Sequence, residues 1–285
     1  MSGAFSIPSD YAAHPWRAVP NSALGSARSV PTMLHPHEQR LYYWLARNAI
    51  GGDGAVVDLG SFAGGSTARL AQGLQDAGSP AAIHAYDRFT ADPKAKQAHL
   101  YAHGIPPFDG EDMLPLARRL LAPWQDRLHL HRGDILQMGW SIDDGPISLL
   151  IVDAAKTPQL TDHIADAFYP HLVAGRSVVN HQDFLAWDQF WLPPHMLLLA
   201  EFFQPLAHVG KTSLLFRCIR TPTREDLQER RVAGLDAGEL VALLQQSQIR
   251  YRGWGMGKRL RRMIEAVRLN PKERRHWCMT APPRD

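Results

Sequence analysis

The sequence predicts an α/β fold with a doubly wound, mostly parallel sheet. Three observations predict it. Short apolar segments with the length of buried strands alternate with helical segments from residue 55 onward. The most apolar of these segments, ISLLIVD at 147–153, suits the centre of a sheet that is covered on both faces. Glycines directly follow the first strand candidate, AVVDL at 55–59, where open α/β sheets bind ligands.

Local signals predict the individual elements in chain order. Residues 33–50 are predicted to contain a helix, because Leu41, Trp44 and Leu45 share one helical face, and GGDG at 51–54 ends it. The strand at 211–219 has no clear helix after it, so we expect an edge or an antiparallel strand. The other predicted elements are strands at 55–59, 81–87, 127–134, 147–153 and 176–181, and helices at 66–77, within 112–124, at 158–172 and within 223–270.

Composition narrows the class of protein. The chain has 285 residues, of which 45% are hydrophobic and 21% are charged, as is typical of globular proteins. No apolar run reaches the length of about 18 residues that predicts a membrane helix, and the N-terminus lacks the pattern of a signal peptide. Two cysteines cannot form a disulfide framework, and the fourteen histidines are scattered. We therefore expect a cytoplasmic protein that does not bind membranes.

Three regions are predicted along the chain. Residues 1–32, rich in Pro, Ser and Ala, are predicted to be an irregular N-terminal arm. Residues 33–220 carry the α/β pattern, and residues 221–285 form a helical, basic C-terminal extension. The connection at 88–110 is too long for an ordinary loop and is typical of a lid or a binding loop.

Charge is distributed unevenly between the body and the extension. Residues 251–276 contain nine Lys/Arg and two Glu, a net charge of +7, which leaves −4 for the rest of a chain whose total is +3. Such a stretch can bind nucleic acid, but no recognition motif accompanies it. A solvated helix face is the favoured interpretation, so a nucleic-acid partner is not expected. The stretch could also pair with the acidic body of a second subunit in a homodimer.

The most specific motif is VVDLGSFAGGSTARLA at residues 56–71. A buried strand ends at the acid Asp58, and Gly60, Gly64 and Ser66 follow before a helix begins. The fingerprint of dinucleotide-binding proteins would need glycine at position 62, where this chain has Phe62. The motif therefore predicts a ligand-binding turn that departs from a pyrophosphate cradle.

Acidic residues also follow the next strands. Asp87 ends the second strand, where a carboxylate can accept hydrogen bonds from ribose hydroxyls. Asp134 follows the third strand, beside the expected position of an adenine, and Asp153 ends the fourth. Because the carboxyl ends of parallel strands meet at one edge of a sheet, these acids predict one ligand site.

These motifs together resemble the class I S-adenosylmethionine-dependent methyltransferases over residues 33–220. More narrowly they resemble the small-molecule O-methyltransferases, including catechol-type enzymes and those that methylate macrolide sugars. The resemblance implies a Rossmann-like sheet of seven strands whose last strand is antiparallel. It also implies S-adenosylmethionine as the methyl donor. The implied cofactor-binding residues are Asp58, Gly60, Ser61, Gly64 and Ser66 for its methionine part, Asp87 for its ribose and Asp134 for its adenine.

The catechol-type resemblance centres on Asp153 and Lys156. In that family the acid ligates Mg²⁺ and the lysine is the general base. Two further ligands are expected after the fifth strand, where this chain has Asn180-His181-Gln182-Asp183. The pair corresponds either to Gln182 and Asp183 or to His181 and Gln182, so one carboxylate is replaced. Asp153, Gln182 and Asp183 are thus the candidate Mg²⁺ ligands, and His181 is an alternative base that needs no metal.

The predicted function is methyl transfer to a hydroxyl of a small molecule such as a natural product, a sugar or a phenol. The aromatic residues Trp187, Phe190 and Trp191 are candidates for a wall of the acceptor pocket. Alternatives are methylation of RNA or of a nitrogen atom, a nicotinamide-dependent oxidoreductase and a non-catalytic cofactor-binding protein. The identity of the acceptor does not follow from the sequence.

Overall fold

The computed structural model describes residues 11–50 and 54–283. Its strands form a seven-stranded sheet in the order β3-β2-β1-β4-β5-β7-β6. The strands are β1 (Ala55–Leu59), β2 (Ile83–Asp87), β3 (Leu128–Arg132), β4 (Ile147–Val152), β5 (Val178–His181), β6 (Phe203–Val209) and β7 (Ser213–Cys218). The sheet is mostly parallel, and β7 runs antiparallel to its neighbours β5 and β6. The predicted doubly wound fold and its antiparallel last strand are confirmed.

Helices begin where the sequence supplies capping side chains. Thr157 accepts a hydrogen bond from the backbone N–H of Leu160, and Asp236 and Glu239 form a reciprocal capping box. The helices are α1 (Pro36–Asn48), α2 (Gly65–Asp76), α3 (Pro93–His99), α4 (Leu114–Leu120), α5 (Pro158–Phe168), α6 (Leu192–Leu198), α7 (Arg224–Gln228), α8 (Ala237–Arg250) and α9 (Gly257–Leu269). Within the described part of the chain, no helix is long and apolar enough to cross a membrane.

The chain separates into two compact units, residues 1–151 and residues 152–285. In the first unit, β1 pairs with β2 in the register Asp58↔Ala85, and β2 pairs with β3 in the register Asp87↔Arg132. In the second unit, β5 and β6 flank β7 in antiparallel ladders. The three predicted regions with boundaries at 32 and 220 stay a prediction.

The strand β6 was not predicted from the sequence. Its segment, FQPLAHV, contains Pro205 and an exposed Gln204, which obscure a β pattern. The ladder with β7 shifts register between Pro205 and Ala207, as expected where a proline interrupts pairing. Because β6 forms the end of the sheet, β7 is an internal strand, and of the two predicted alternatives only the antiparallel one holds.

The long connection at 88–110 is ordered and shares a buried apolar cluster with the turn after β1 and with α4. Its base is closed by the backbone N–H of Ala91, which donates to the carbonyl of Glu111 at 3.1 Å, and by a bridge between Thr90 and Asp112. Inside it, the buried Lys96 amine donates to the carbonyls of Phe108 at 2.9 Å and Gly110 at 2.8 Å. The connection is therefore a folded excursion that contains α3.

The N-terminal segment is packed against the start of α2. It contains short 3₁₀ turns at Tyr11–Ala13, Pro15–Ala18 and Asn21–Ser29, while residues 1–10 of the predicted arm lie outside the described residues. Arg69 in α2 is 2% exposed, and its guanidinium donates to the carbonyls of Val30 at 2.8 Å and Gly65 at 2.9 Å. Positions 51–53 of the predicted GGDG helix stop also lie outside the described residues.

Candidate functional site

Asp58 is the centre of a buried hydrogen-bond network at the end of β1. Its Oδ2 atom accepts hydrogen bonds from the hydroxyls of Ser66 at 2.7 Å and Thr67 at 2.6 Å. Burial raises the pKa of the Asp58 carboxyl to about 6, although both hydroxyls oppose the shift. Its Oδ1 atom is buried without a hydrogen-bond partner among the described residues. A buried carboxylate with an unsatisfied oxygen fits a ligand that brings a cationic N–H donor.

The glycine-containing turn between β1 and α2 places the other predicted hydroxyls. Gly60 and Gly64 have φ values of 100° and 92°, in the left-handed region that favours glycine. A Cβ atom at Gly64 would also lie 2.8 Å from the side chain of Leu121. The Ser61 hydroxyl lies 2.8 Å from the Thr67 hydroxyl, which joins it to the Asp58 network. Thr67 was not predicted from the sequence, although its position beside Ser66 in the first turn of the helix could have indicated that it belongs to the site.

Asp87 fixes two strained backbone positions at the end of β2. Its Oδ2 atom accepts the backbone N–H of Phe62 at 2.9 Å, and its Oδ1 atom accepts that of Phe89 at 2.6 Å. Both phenylalanines have left-handed backbones, with φ values of 52° and 51°. Burial raises the pKa of the Asp87 carboxyl, with the two N–H groups acting in the opposite direction. Each carboxylate oxygen has two lone pairs, so Asp87 retains acceptor capacity for ribose hydroxyls.

Asp134 lies next to this acid. The backbone N–H of Gly133 donates to the carbonyl of Asp87 at 3.0 Å, which brings the loop after β3 to the end of β2. The Asp134 carboxylate accepts the Arg88 guanidinium at 2.6 Å and caps a short turn through the N–H of Leu136 at 3.1 Å. The predicted cofactor residues of the first unit thus form one continuous region, and their binding to a cofactor stays a prediction.

In the second unit, Lys156 lies between two carboxylates. Its amine donates to Asp153 Oδ1 at 2.8 Å and to Asp183 Oδ2, which also accepts the side-chain amide of Gln189 at 2.9 Å. Burial alone would lower the pKa of the Lys156 amine, but the two carboxylates raise it above its ordinary value. Burial would raise the pKa of the Asp183 carboxyl, whereas Lys156 and Gln189 hold it below its ordinary value.

The chain around Lys156 is fixed on both sides. The indole N–H of Trp191 donates to the carbonyl of Ala155 at 3.1 Å, and Thr157 caps α5. Gln182 is joined to this part of the unit through its backbone, whose N–H donates to Val152 at 3.1 Å. The backbone that carries Lys156 is therefore fixed, and the amine itself is held by its hydrogen bonds to Asp153 and Asp183.

The residues predicted to bind Mg²⁺, Asp153, Gln182 and Asp183, are poorly arranged for that ion. Of the proposed ligands, Asp153 and Asp183 share the Lys156 ammonium, which stands where a cation would have to bind both carboxylates. Among the described residues, no group of three or more His, Cys, Asp or Glu side chains is placed to hold a metal ion. Mg²⁺ needs six oxygen ligands in nearly ideal octahedral geometry. We therefore assign no chemical step to a metal.

His181 is an interior residue. Its ring is 1% exposed, and its Nε2 atom lies 2.9 Å from the hydroxyl of the buried Tyr169. Burial, together with the neighbouring His195, lowers the pKa of the His181 imidazole to about 3. The rings of Phe184 and Phe216 pack around it, with centroids 6.4 and 6.1 Å away. These contacts are those of a neutral core histidine rather than of a base that meets an acceptor.

The aromatic residues after β5 mostly belong to the core. Phe190 and Trp191 are completely buried, so they do not form the wall of an open pocket. Trp187 is half-buried, and the Arg262 guanidinium lies 5.7 Å from its ring centroid. The expectation of an aromatic acceptor wall is therefore wrong for Phe190 and Trp191. Their apolar character reflects packing against the backbone that carries Lys156.

Comparison with known proteins identifies the domain. Residues 57–182 match the sequence profile of a methyltransferase domain. A search of the curated proteins gives no match to the chain.

Two solved structures have similar folds. The O-methyltransferase NovP is 13% identical, with a TM-score of 0.50 over 66% of this chain and 82% of its own. Cofactor-bound Rv0187 from MTB is 16% identical, with a TM-score of 0.50 over 75% of this chain and 98% of its own. At these identities the likeness shows the fold alone. The profile match favours a methyltransferase over the alternative of a nicotinamide-dependent oxidoreductase. The motif at 56–71, which lacks the dinucleotide fingerprint, agrees with a methyltransferase. Residues 57–182, the part of the chain that matches a methyltransferase domain, thus support the predicted resemblance to the class I S-adenosylmethionine-dependent methyltransferases.

Proposed function

We propose that the protein transfers a methyl group from S-adenosylmethionine to a hydroxyl of a small molecule. The observation that carries this proposal is the Lys156 amine held between Asp153 and Asp183. The carboxylate can take the proton of a hydroxyl that becomes a nucleophile, and the ammonium bonded to it can stabilise the negative charge on the oxygen.

The first unit supplies the residues that would hold S-adenosylmethionine. Asp58, with its unsatisfied Oδ1 atom, complements the ammonium of the methionine part, and Ser61 and Ser66 line the same turn. Asp87 would accept the ribose hydroxyls, and Asp134 would lie beside the adenine. When bound, S-adenosylmethionine supplies a methyl group whose bond to a positively charged sulfur is broken in the reaction.

The second unit supplies the residues for the acceptor. Asp153 takes the proton of the acceptor hydroxyl, and Lys156 donates a hydrogen bond that stabilises the negative charge on the oxygen. That oxygen forms the new bond to the methyl carbon, and the sulfur keeps the electron pair of the old bond. Lys156 stays an ammonium throughout, and Asp183 and Gln189 hold it in place. We assign no proton transfer to His181, because it is enclosed in the core.

Methylation of RNA receives no support from the basic extension. Arg262 and Arg274 pack on the rings of Trp187 and Phe190, and Arg275 forms an ion pair with Glu273 at 2.7 Å. These basic side chains are therefore engaged in contacts within the extension and with the aromatic residues after β5, both on α9 and after its end at Leu269.

Calorimetry with S-adenosylmethionine tests the first half of the proposal, and the absence of binding at millimolar ligand would overturn it. The second half is tested with radiolabelled methyl donor and a panel of phenols, hydroxylated sugars and natural products, with amines as the competing class. Methylation of amines alone would replace the hydroxyl acceptor. We also propose a cytoplasmic homodimer, which cell fractionation and light scattering test against the chain mass of 31.9 kDa.

A further inference from the structure

The structure places an ammonium group between Asp153 and Asp183, two of the predicted Mg²⁺ ligands. Lys156 Nζ lies 2.8 Å from Asp153 Oδ1 and also bonds to Asp183 Oδ2. The three side chains are partly exposed, at 32%, 24% and 25%, so dissolved ions can reach them. We propose that the Lys156 ammonium is the built-in counter-ion of Asp153 and Asp183, that it excludes a divalent ion, and that removing it creates a divalent-cation site.

Charge supports this exclusion. The cluster contains two carboxylates and one ammonium, so the lysine already neutralises half of the negative charge. A divalent ion bound by both carboxylates would lie within a few ångström of the ammonium, where like charges repel each other strongly. Without the ammonium, the two carboxylates would lose the positive charge between them, and pairs of carboxylates attract hard cations.

The hydrogen bond from Gln189 also supports the exclusion of a divalent ion. Asp183 Oδ2 accepts both Lys156 and the amide N–H of Gln189, which is bonded to it at 2.9 Å. A metal ion on this atom would have to displace two hydrogen-bond donors. Trp191 and Thr157 fix the backbone on either side of Lys156, so the ammonium can leave the two carboxylates only by rotation of its own side chain.

The test is a titration of the EDTA-treated full chain with Mn²⁺, followed by the loss of the electron paramagnetic resonance signal of free Mn²⁺. Each protein is titrated with and without the additional change Asp183→Asn. The difference in the number of bound Mn²⁺ ions is the number of sites that depend on Asp183. We expect no such site in the unmodified protein and one in Lys156→Met, with a Kd at least tenfold lower than that of any Mn²⁺ binding by the unmodified protein.

The matched control is Lys258→Met, which removes an exposed lysine from α9 and should gain no site. Lys156→Arg, which keeps the positive charge, should also gain none. An Asp183-dependent site in the unmodified protein overturns the inference, and that measurement holds even if Lys156→Met does not fold. A folded Lys156→Met that binds no additional Mn²⁺ overturns it as well.

The inference rests on the proposed function only in treating this cluster as the acceptor's catalytic group. Mn²⁺ binding is measured without turnover, so its result is independent of whether a hydroxyl acceptor is found. If the metal titration fails while methylation of a hydroxyl succeeds, the counter-ion role alone is lost. If methylation fails while the titration succeeds, only the proposed function is lost.

Discussion

The Oδ2 atom of Asp87 accepts a 2.9 Å hydrogen bond from the backbone N–H of Phe62. This bond joins the end of β2 to the turn after β1, at a residue with a left-handed backbone. The same carboxylate holds the N–H of Phe89. Asp87 is therefore a structural acid as well as the candidate ribose ligand.

Replacing Asp87 with Asn should weaken both roles. One carboxylate oxygen becomes an NH₂ group that faces a backbone N–H, which leaves a buried donor unsatisfied at a cost of about 1–3 kcal/mol. Chemical denaturation should show that loss, and calorimetry should show weaker binding of S-adenosylmethionine. Asp126→Asn, at an exposed position, is the control and should change neither quantity. Full stability with full affinity in Asp87→Asn would contradict the dual role.

Gly64→Ala should damage the turn more than Gly78→Ala. Both glycines have positive φ values, of 92° and 62°, so alanine is strained at either position by about 1–2 kcal/mol. Only at position 64 does the new Cβ meet another side chain, 2.8 Å from Leu121, whereas nothing lies within 4 Å of it at position 78. Denaturation midpoints should therefore separate the two variants, and only Gly64→Ala should lose affinity for S-adenosylmethionine. Equal losses of stability would show that the contact with Leu121 relaxes without cost.

Asp58 should make stability depend on pH. Its folded-state pKa of about 6 lies above the ordinary value of 3.8, so the folded protein binds the proton more tightly than the unfolded chain does. Stability from this group is therefore fully present below about pH 4 and declines as the pH rises to about 6, by at most about 3 kcal/mol. Asp58→Asn removes this decline.

Thermal melts from pH 4 to pH 7 measure the difference between Asp58→Asn and the unmodified protein. The variant should gain stability relative to the unmodified protein as the pH rises. A constant difference for Asp58→Asn would mean that water reaches the carboxylate and relieves the effect of burial.

Lys156→Met should lower kcat by about 100-fold or more, the range of a lost proton-transfer or charge-stabilising group. Because the predicted residues for S-adenosylmethionine lie in the other unit, its Kd should stay within about twofold. Lys156→Arg keeps the charge and should recover part of the rate. Lys258→Met should behave like the unmodified protein. A variant that loses donor affinity together with rate would indicate that Lys156 acts on the donor instead.

Arg69→Met should loosen the N-terminal segment. The change leaves the carbonyls of Val30 and Gly65 without the buried guanidinium that now donates to them. Limited trypsin digestion should then cut faster after Arg28, which is exposed but lies in an ordered 3₁₀ segment. Arg119→Met, at an exposed site, is the control. Unchanged cleavage at Arg28 would show that the other contacts of the N-terminal segment suffice to hold it in place.

The parts of the fold that the sequence predicts are those with a local signal. Asp58, Gly60, Gly64 and Ser66 follow a buried strand directly, and the order of strand, glycine turn and helix leaves few geometries for them. The strand β6 was missed because Pro205 hides its pattern. The hydrogen bonds of Asp87 to Phe62 and Phe89 were not predictable, since they depend on the backbone conformation of two other segments.

In the second unit as well, the sequence identified residues that stand close together in a motif but not the contacts between distant segments. The family resemblance singled out Asp153 and Lys156 from the sequence, and the hydrogen bond between them is a finding of the structure. The burial of His181 against Tyr169 comes from the packing of side chains that are distant in sequence. Similarity to a family that uses a metal did not reveal that the Lys156 ammonium lies between Asp153 and Asp183.

The excursion at 88–110 begins and ends at one place. Because the N–H of Ala91 bonds to the carbonyl of Glu111, and the N–H of Met113 bonds to the carbonyl of Phe89 at 2.8 Å, its two ends are already joined without the residues between them. Lys96 then holds the interior through contacts made only within the excursion. Ala91 and Leu100 of the excursion also share a buried apolar cluster with Ala63 and Leu116, so its length and sequence can change only where these contacts to the turn after β1 and to α4 are kept.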